Sequence, residues 1–487
     1  MSQSAPRTAA ARARRRTPLR DNIEALVVAI VMAVFLKYFA VEAYKIPTGS
    51  MQPTLMGQAF SDGDGVFDRI LVDKLSYHFR DPQRFEVTVF RYPLDRARNY
   101  VKRLVGMPGE ELRIAHGDVF VREDASRPFR PLRRPRGVQA TTWKWLDATF
   151  PKGLTQWKVE AGGWSASEDA VGGAGAGRAL FAGHGGGSIV DRYLDGYPRR
   201  IAERVSPRDA HGTNAVGDLR LVGRVRAEAD AQRVAIELVE GDRLYRFELP
   251  GPAAAAQARP RVAAVAGAGT TATPAEASGE PWHLPAGRWV EFAVQNLDDL
   301  LELELDGEPV AALEVAPAPL QTSSVRVTSE GGGARFEDLR VARDIYYTPG
   351  RRGRDTWTIP EGHYFMLGDN TQDSSDSREW TFWNMAWSDG DGGLVRARGN
   401  WHPYQRGSNP LEANPLREPT LEGRTTWFTD EWGERHVFAS DLEVPRDPDT
   451  ASSEAPLVPR ELIAGRALLV FWPLSPALRL WRLTWVR

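Results

Sequence analysis

Apolar and polar positions alternate over short runs along most of this chain, and Gly, Pro and Asp break the runs at close intervals. That is the signature of antiparallel β structure. Strand patterns fill residues 44 to about 125, at Ile70–Val72, Phe85–Phe90, Tyr100–Val105 and Asp118–Val121. The same style resumes near Asp344–Tyr347, runs through Trp357 to Trp380, and reappears at Leu462–Phe471. Between these blocks, residues of about 135–342 have another character. Trp-rich polar sequence leads into glycine-rich loops at Gly172–Gly177 and Gly183–Gly187. Alternating strands follow at Leu219–Ala227, Val234–Leu238, Leu244–Leu249, Trp289–Val294 and Leu301–Leu305, with Asp306-Gly307 as a hairpin turn signal. Strands at this spacing predict a β-sandwich. The Ala/Pro-rich stretch Pro250–Ser278 predicts a mobile loop without core side chains. A polar, tryptophan-spotted stretch at about 384–455 points to no particular fold.

The N-terminus breaks the β pattern. Ile23 to Ala43 predicts a helix, with an uninterrupted apolar or small run over Ala25–Leu36. That run is short of the roughly 20 residues a membrane span needs. Counting Ile23 through Val41 reaches the length if Glu24 lies at one interface and Lys37 snorkels to the other beside Tyr38. A cleavable signal peptide ending at Val41-Glu42-Ala43 is the rival reading.

Charge sharpens this picture. Six arginines against Asp21 give residues 1–21 a charge of +5 in a chain whose net charge is −2, leaving −7 for the rest. An arginine cluster before an apolar segment is a topogenic signal, with the N-terminus inside and everything after residue 43 outside. The balance excludes a basic nucleic-acid binder. With no cysteine, thiolate catalysis, disulfides and cysteine-ligated zinc are excluded. The eight histidines show no ligand spacing, so neither a catalytic metal nor a cofactor is expected.

The candidate chemistry lies just after the apolar segment. Ser50 stands in Ile46-Pro47-Thr48-Gly49-Ser50-Met51-Gln52-Pro53-Thr54-Leu55, and Lys102 in Tyr100-Val101-Lys102-Arg103-Leu104-Val105-Gly106. A serine hydroxyl needs a base, usually histidine, and none is near either motif. A lysine serves if burial lowers its pKa, whereas Arg103 cannot, because a guanidinium does not usefully deprotonate. On a strand, Lys102 shares its face with Tyr100 and Leu104, while Val101, Arg103 and Val105 point the other way. Keeping that serine beside a bilayer favours an uncleaved anchor over a signal peptide.

Four stretches in order resemble the bacterial type I signal peptidases, or leader peptidases: Ile46–Leu55, Asp68–Lys74, Tyr100–Glu110 and Gly368–Arg378. The resemblance implies Ser50 as nucleophile and Lys102 as general base. It assigns the oxyanion hole to Thr48 and the Ser50 amide, and orientation of the lysine to Ser374. Asp376 and Arg378 match a structural ion pair near the site. Ile46, Met51, Leu55 and Val101 match positions lining small apolar pockets, which implies cleavage after Ala-x-Ala. Thr371 and Gln372 depart from the Arg-Asp common in the family. Residues of about 135–342 resemble the concanavalin-like, laminin-G-like jelly rolls, best in the ending Val325–Val327 and Gly331–Val341.

The expected organisation is a basic cytoplasmic segment (1–22), a transmembrane helix (23–43), a catalytic part (44–134), an inserted sandwich (135–342), a second catalytic part (343–383), an insert of unassigned fold (384–455), and a closing strand with tail (456–487). The fold class is mainly β. Expected partners are the signal peptides of exported preproteins, the lipid bilayer, and a glycan or protein ligand for the sandwich, with no nucleic acid. The expected location is the inner membrane, single-pass, with the catalytic part on the periplasmic face. The terminal Leu480–Arg487, mixing Trp with Arg, is expected at the membrane surface. The ends of the sandwich should lie close together, so its deletion is expected to leave catalysis measurable. Two alternatives stand beside this reading: a self-cleaving serine/lysine repressor-type domain, and a lectin-like binder carrying an inactive protease remnant.

Overall fold

A computed structural model describes residues 18–60, 64–146, 156–168, 170–181, 183, 188–205, 212–265, 275–317, 319–350, 353–380, 382–388, 393–402, 425–439, 452–453, 457–475 and 480–486. The basic stretch up to Arg16 and most of Gly183–Gly187 lie outside the described residues.

β structure dominates. The first sheet runs, strand by strand, Val41–Lys45, Arg69–Asp73, Ile463–Trp472, Val87–Tyr92, Asp95–Gly106, His363–Leu367 and Val458–Pro459. Every pairing in it is antiparallel. The late strand Ile463–Trp472 therefore sits inside the sheet, and Thr484–Trp485 pairs with its end. A second sheet joins Thr356–Thr358, Glu111–Ala115, Asp118–Arg122 and Arg130–Pro131.

The long strand Asp95–Gly106 shows why this sequence folds here. Tyr100 and Leu104 pack with Phe90 and Trp380 on one face, while Val105 packs with Leu112 and Phe365 on the other. Alternation along a pleated strand sends successive side chains to opposite faces, so Lys102 and Arg103 diverge into different surroundings.

The central insert is a two-sheet sandwich. One sheet centres on Leu219–Ala227 between Ala334–Arg343 and Val290–Leu297; the other centres on Arg233–Glu240 between Ser323–Glu330 and Arg243–Pro250. Side chains from both sheets, among them Leu221, Val294, Phe336, Ile236, Phe247 and Val327, fill one core. Strict alternation sets the register: on Ser323–Glu330 every second side chain is buried. Asp306 and Gly307 both take positive φ, 48° and 85°, the backbone of the hairpin turn their sequence signals. The second insert carries a five-stranded sheet in the order Arg435–Ala439, Thr425–Asp430, Leu394–His402, Phe382–Ser388 and Ser452–Ser453.

Two expectations are corrected. The stretch Pro250–Ser278 contributes strands Arg261–Val265 and Ala275–Ser278, with Val262 fully buried. Its alanines fit the sheet margin because a small side chain suffices against the neighbouring strand. The N-terminal helix spans Pro18–Phe35 and a π turn spans Leu36–Ala40; Val41–Lys45 is already a strand paired with Arg69–Asp73. Helical continuation to Ala43 loses because Val41–Lys45 gains a full antiparallel ladder. Among the described residues no helix is long and apolar enough to cross a membrane. The helix nevertheless leaves Leu26, Val28 and Val31 about three-fifths exposed.

Candidate active site

Ser50 lies in a turn following Ile46, whose N–H bonds the Asp68 carbonyl at 2.8 Å. The Gln52 N–H closes the turn on the Gly49 carbonyl at 3.0 Å. Glycine at 49 is explained by space: a Cβ there would press on Gln52 Oε1, Tyr193 OH and Asp373 Oδ2 at 3.0–3.2 Å. On the strand Asp95–Gly106, Lys102 is 3% exposed, and its Nζ donates to Ser50 Oγ at 2.5 Å. The ammonium also stands 5.6 Å over the Tyr100 ring. Burial pushes the Lys102 amine down to about 8, and the nearby carboxylates Asp376, Asp369 and Asp373 oppose a further fall. A neutral amine beside a serine hydroxyl can accept its proton. Among the described residues the Ser50 N–H has no hydrogen-bond partner, and the Thr48 side chain is exposed.

The loop Gly368–Arg378 closes over this pair. The Asn370 N–H reaches the Ser50 carbonyl at 3.1 Å, and its amide reaches the Gly49 carbonyl at 3.0 Å. Ser374 Oγ donates to Asp376 Oδ2 at 2.7 Å. Its hydroxyl is therefore directed to the carboxylate, while the lysine turns to Ser50. Ser374 still borders the site, because a Cβ on Gly368 would collide with both Ser374 Oγ and the Ser50 carbonyl. Asp376 and Arg378 are brought together: Nε to Oδ1 and Nη2 to Oδ2 both measure 2.8 Å. Burial would raise the Asp376 carboxyl, but Arg378 outweighs it and the pKa lies below the ordinary value. Ile46, Met51 and Leu55 are buried together with half-buried Val101 in one apolar cluster.

Several residues that hold the site were not singled out from sequence. Arg103, fully buried, grips Asp369 with Nε and Nη2 at 2.8 and 2.7 Å and gives Nη1 to the Phe85 carbonyl at 2.8 Å. Thr54 Oγ1 donates to the same carboxylate at 2.5 Å. Asp369 thus ties the lysine strand to the serine loop. Burial alone would raise its carboxyl; Arg103 and Thr54 bring it below the usual range. Arg482, from the C-terminal tail, donates to Asp68 at 2.8 Å and to the Thr54 carbonyl at 3.1 Å. A buried arginine beside a buried lysine, on the opposite strand face, was the one available sign of the Arg103 link.

The sandwich insert also reaches the site. Lys144 Nζ donates to the Asp369 carbonyl at 2.9 Å, and Tyr193 OH bonds the Gln52 side chain at 3.1 Å, with Tyr197 against the same amide. Burial and then Arg343 push the Lys144 amine down to about 7. Leu194, Tyr197 and Ile201 pack on Met56 and Phe60, just past the serine. These contacts give the insert a structural share in the serine loop, and they are what a deletion expected to leave catalysis measurable would remove.

Comparison with known proteins points the same way. A family model described as signal peptidase, peptidase S26, matches residues 19–166 and 306–394. A probable signal peptidase I-2 of Synechocystis sp. is 38% identical over 102 residues, covering 20% of this chain and 42% of that protein. The signal peptidase I of Pseudomonas fluorescens is 43% identical over 96 residues, covering 17% of this chain and 31% of that one. The chain spans about half or less of the length of these curated relatives. Among solved structures, an apo Crh5 transglycosylase aligns with a TM-score of 0.27 and 11% identity, covering 48% of this chain and 92% of that one. That score carries no argument, and the sandwich stands on its own strand pairing. The sequence likeness is to serine endopeptidases of the signal peptidase I kind.

Proposed function

We propose that the chain is a membrane-held serine endopeptidase of the signal peptidase I kind, removing N-terminal signal peptides from exported preproteins after small residues. The observation that carries the reading is the 2.5 Å contact between Lys102 Nζ and Ser50 Oγ, with the lysine almost wholly buried. In the proposed mechanism the neutral Lys102 amine takes the Ser50 proton as Oγ attacks the scissile carbonyl. The oxyanion is met by the Ser50 N–H and the Thr48 hydroxyl. Lys102 then protonates the leaving amine, and the same base activates the water that frees the acyl-enzyme.

Asp369 with Arg103, and Asp376 with Arg378, act as positioning groups: each fixes part of the loop that lies on Ser50. The packed cluster of Ile46, Met51, Leu55 and Val101 supports a preference for small side chains, since a full apolar wall leaves little space for large ones. The exposed apolar helix Pro18–Phe35, following the arginine cluster, supports an anchor with its N-terminus cytoplasmic and the catalytic part outside. The domain limits set out above, 44–134, 343–383 and 456–487 for the catalytic part, are retained in this proposal. The sandwich is proposed to hold a glycan or protein ligand.

Cleavage of a model preprotein with an Ala-x-Ala site, by detergent-solubilised full-length protein, tests the assignment. Ser50→Ala and Lys102→Met are each expected to abolish processing while leaving thermal unfolding near that of the parent. Retained cleavage by either variant ends the dyad.

A further inference from the structure

Away from the dyad, unpaired buried charge concentrates at the seam between the sandwich and the hairpin Glu111–Arg122. Asp118 opens the strand Asp118–Arg122. Asp218 immediately precedes Leu219–Ala227, and Asp298 lies in the turn joining Val290–Leu297 to Leu300–Leu305. One carboxylate oxygen from each of the three lies within 4.8 Å of the others. Asp218 is 8% exposed and Asp298 only 4%.

The nearby arginines make their hydrogen bonds to other groups. Arg134 Nη1 bonds Asp344 at 2.6 Å and Gln139 at 3.1 Å. Arg133 reaches the Asp298 backbone carbonyl at 3.0 Å and the Glu314 carboxylate at 2.6 Å, so with Arg134 it offsets the Asp298 charge only in part and through space. Buried Oδ2 atoms of Asp298 and Asp299 and the buried Oδ1 of Asn296 have no hydrogen-bond partner. Asn296 spends its amide on Glu240 at 2.8 Å, so its orphan is a neutral acceptor, independent of the acidic group. It lines a cavity of about 30 Å³ together with Asp118, Asp218 and Asp299. A water needs about 10–15 Å³ of such space.

Two buried carboxylates and a half-buried third cannot all stay ionised without a counter-charge. Burial raises all three carboxyls above the ordinary range; neighbouring carboxylates add to this at Asp118 and Asp218, while Arg134 opposes it at Asp298. The orphaned oxygens have acceptor capacity and no donor to meet it. A cation supplies what is missing.

We propose that Asp118, Asp218 and Asp298 bind one divalent cation, calcium by its chemistry, which pins the sandwich to the catalytic hairpin. All donors are hard oxygens, with no nitrogen or sulfur, which excludes a zinc-type preference. Ligand distances of about 2.3–2.6 Å and loose geometry suit calcium, whereas magnesium demands a near-ideal octahedron at about 2.0–2.1 Å. The orphan carbonyl of Asn296 and the Asp299 oxygen then accept from water on the ion. A second acidic group, Asp430 with Glu434 and His436, needs no ion: Asp430 already accepts from the N–H groups of Trp432 and Glu434 and pairs with His436.

The test uses full-length protein in detergent, stripped with a chelator and titrated with calcium chloride by calorimetry, with thermal unfolding in parallel. The expected result is one calcium per chain and a raised unfolding temperature, with affinity at least about tenfold weaker in Asp298→Asn and in Asp218→Asn. Each substitution removes a repelling buried charge, so without calcium the variants should unfold no earlier than the parent. Three results would overturn the proposal. These are no heat and no thermal shift at millimolar calcium, binding undiminished in both variants, or calcium-free variants that unfold early. The last would mean that the carboxylates share a proton instead.

Discussion

Replacing Gly368 by alanine probes the loop that lies on Ser50, the proposed nucleophile. A Cβ at this position would sit 2.5 Å from the Ser50 carbonyl oxygen and 2.6 Å from Ser374 Cβ, besides colliding with Ser374 Oγ. Ordinary contact begins near 3.4 Å, so one of these groups must move by about 1 Å. The Ser50 carbonyl is held by the Asn370 N–H, and Gly368 itself donates to Asp376 at 3.0 Å, so the strain falls on bonds that fix both sides of the dyad. Overpacking of this kind costs about 1–3 kcal/mol of stability. A 1 Å displacement of a reacting group costs roughly 100-fold in rate. The assay is kcat/KM on a fluorogenic Ala-x-Ala peptide, read beside thermal unfolding, with Gly163→Ala as control because nothing lies within 4 Å of a Cβ there. Gly368→Ala is expected to lose about two orders of magnitude in kcat/KM while the control keeps parental activity. A Gly368→Ala enzyme with parental kcat/KM would refute the placement of this loop against Ser50.

Other consequences are open to measurement. Because Lys102 must be neutral to act and its amine lies at about 8, kcat/KM should rise with pH up to that region and level off above it. A pH–rate profile checks this, and a flat profile through about pH 8 would exclude Lys102 as base. Arg103→Met strands the buried Asp369 carboxylate and should cost about 3–5 kcal/mol in chemical denaturation, with part recovered in the Arg103→Met/Asp369→Asn double variant; equal losses in both would deny the pair. Arg482→Ala unpairs Asp68, which is fully buried, and should cost about 1–3 kcal/mol by the same measurement while lowering kcat through the serine loop. An unchanged midpoint would show the tail is not engaged.

How much of this was legible in the sequence depends on the range of the interaction. Local rules read the strands well: Leu219–Ala227 matches the observed strand end to end, and Asp306-Gly307 makes the turn it signals. The meeting of Ser50 with Lys102, 52 positions on, followed from the resemblance together with the need of a serine for a base. Composition misled at Pro250–Ser278, where alanines looked too small for a core, yet Val262 and Ala263 are buried on the strand Arg261–Val265. The Lys144–Asp369 bond, between residues 225 positions apart, leaves no trace in periodicity, and neither does the hold of Arg482 on Asp68. The Ser374 hydroxyl answers to Asp376, a choice of partner that spacing does not encode.

The strand Ile463–Trp472 lies between Arg69–Asp73 and Val87–Tyr92, two strands made nearly 400 residues before it. Until Ile463–Trp472 has been synthesised, those early strands lack the partner that joins them, and N–H and C=O groups on both facing edges stay unpaired. In this condition the sheet is incomplete, and pairing across so long a loop is slow. Synthesis order thus works as a timer: the sheet that carries Lys102 closes only once Ile463–Trp472 has emerged, after both insertions have been made.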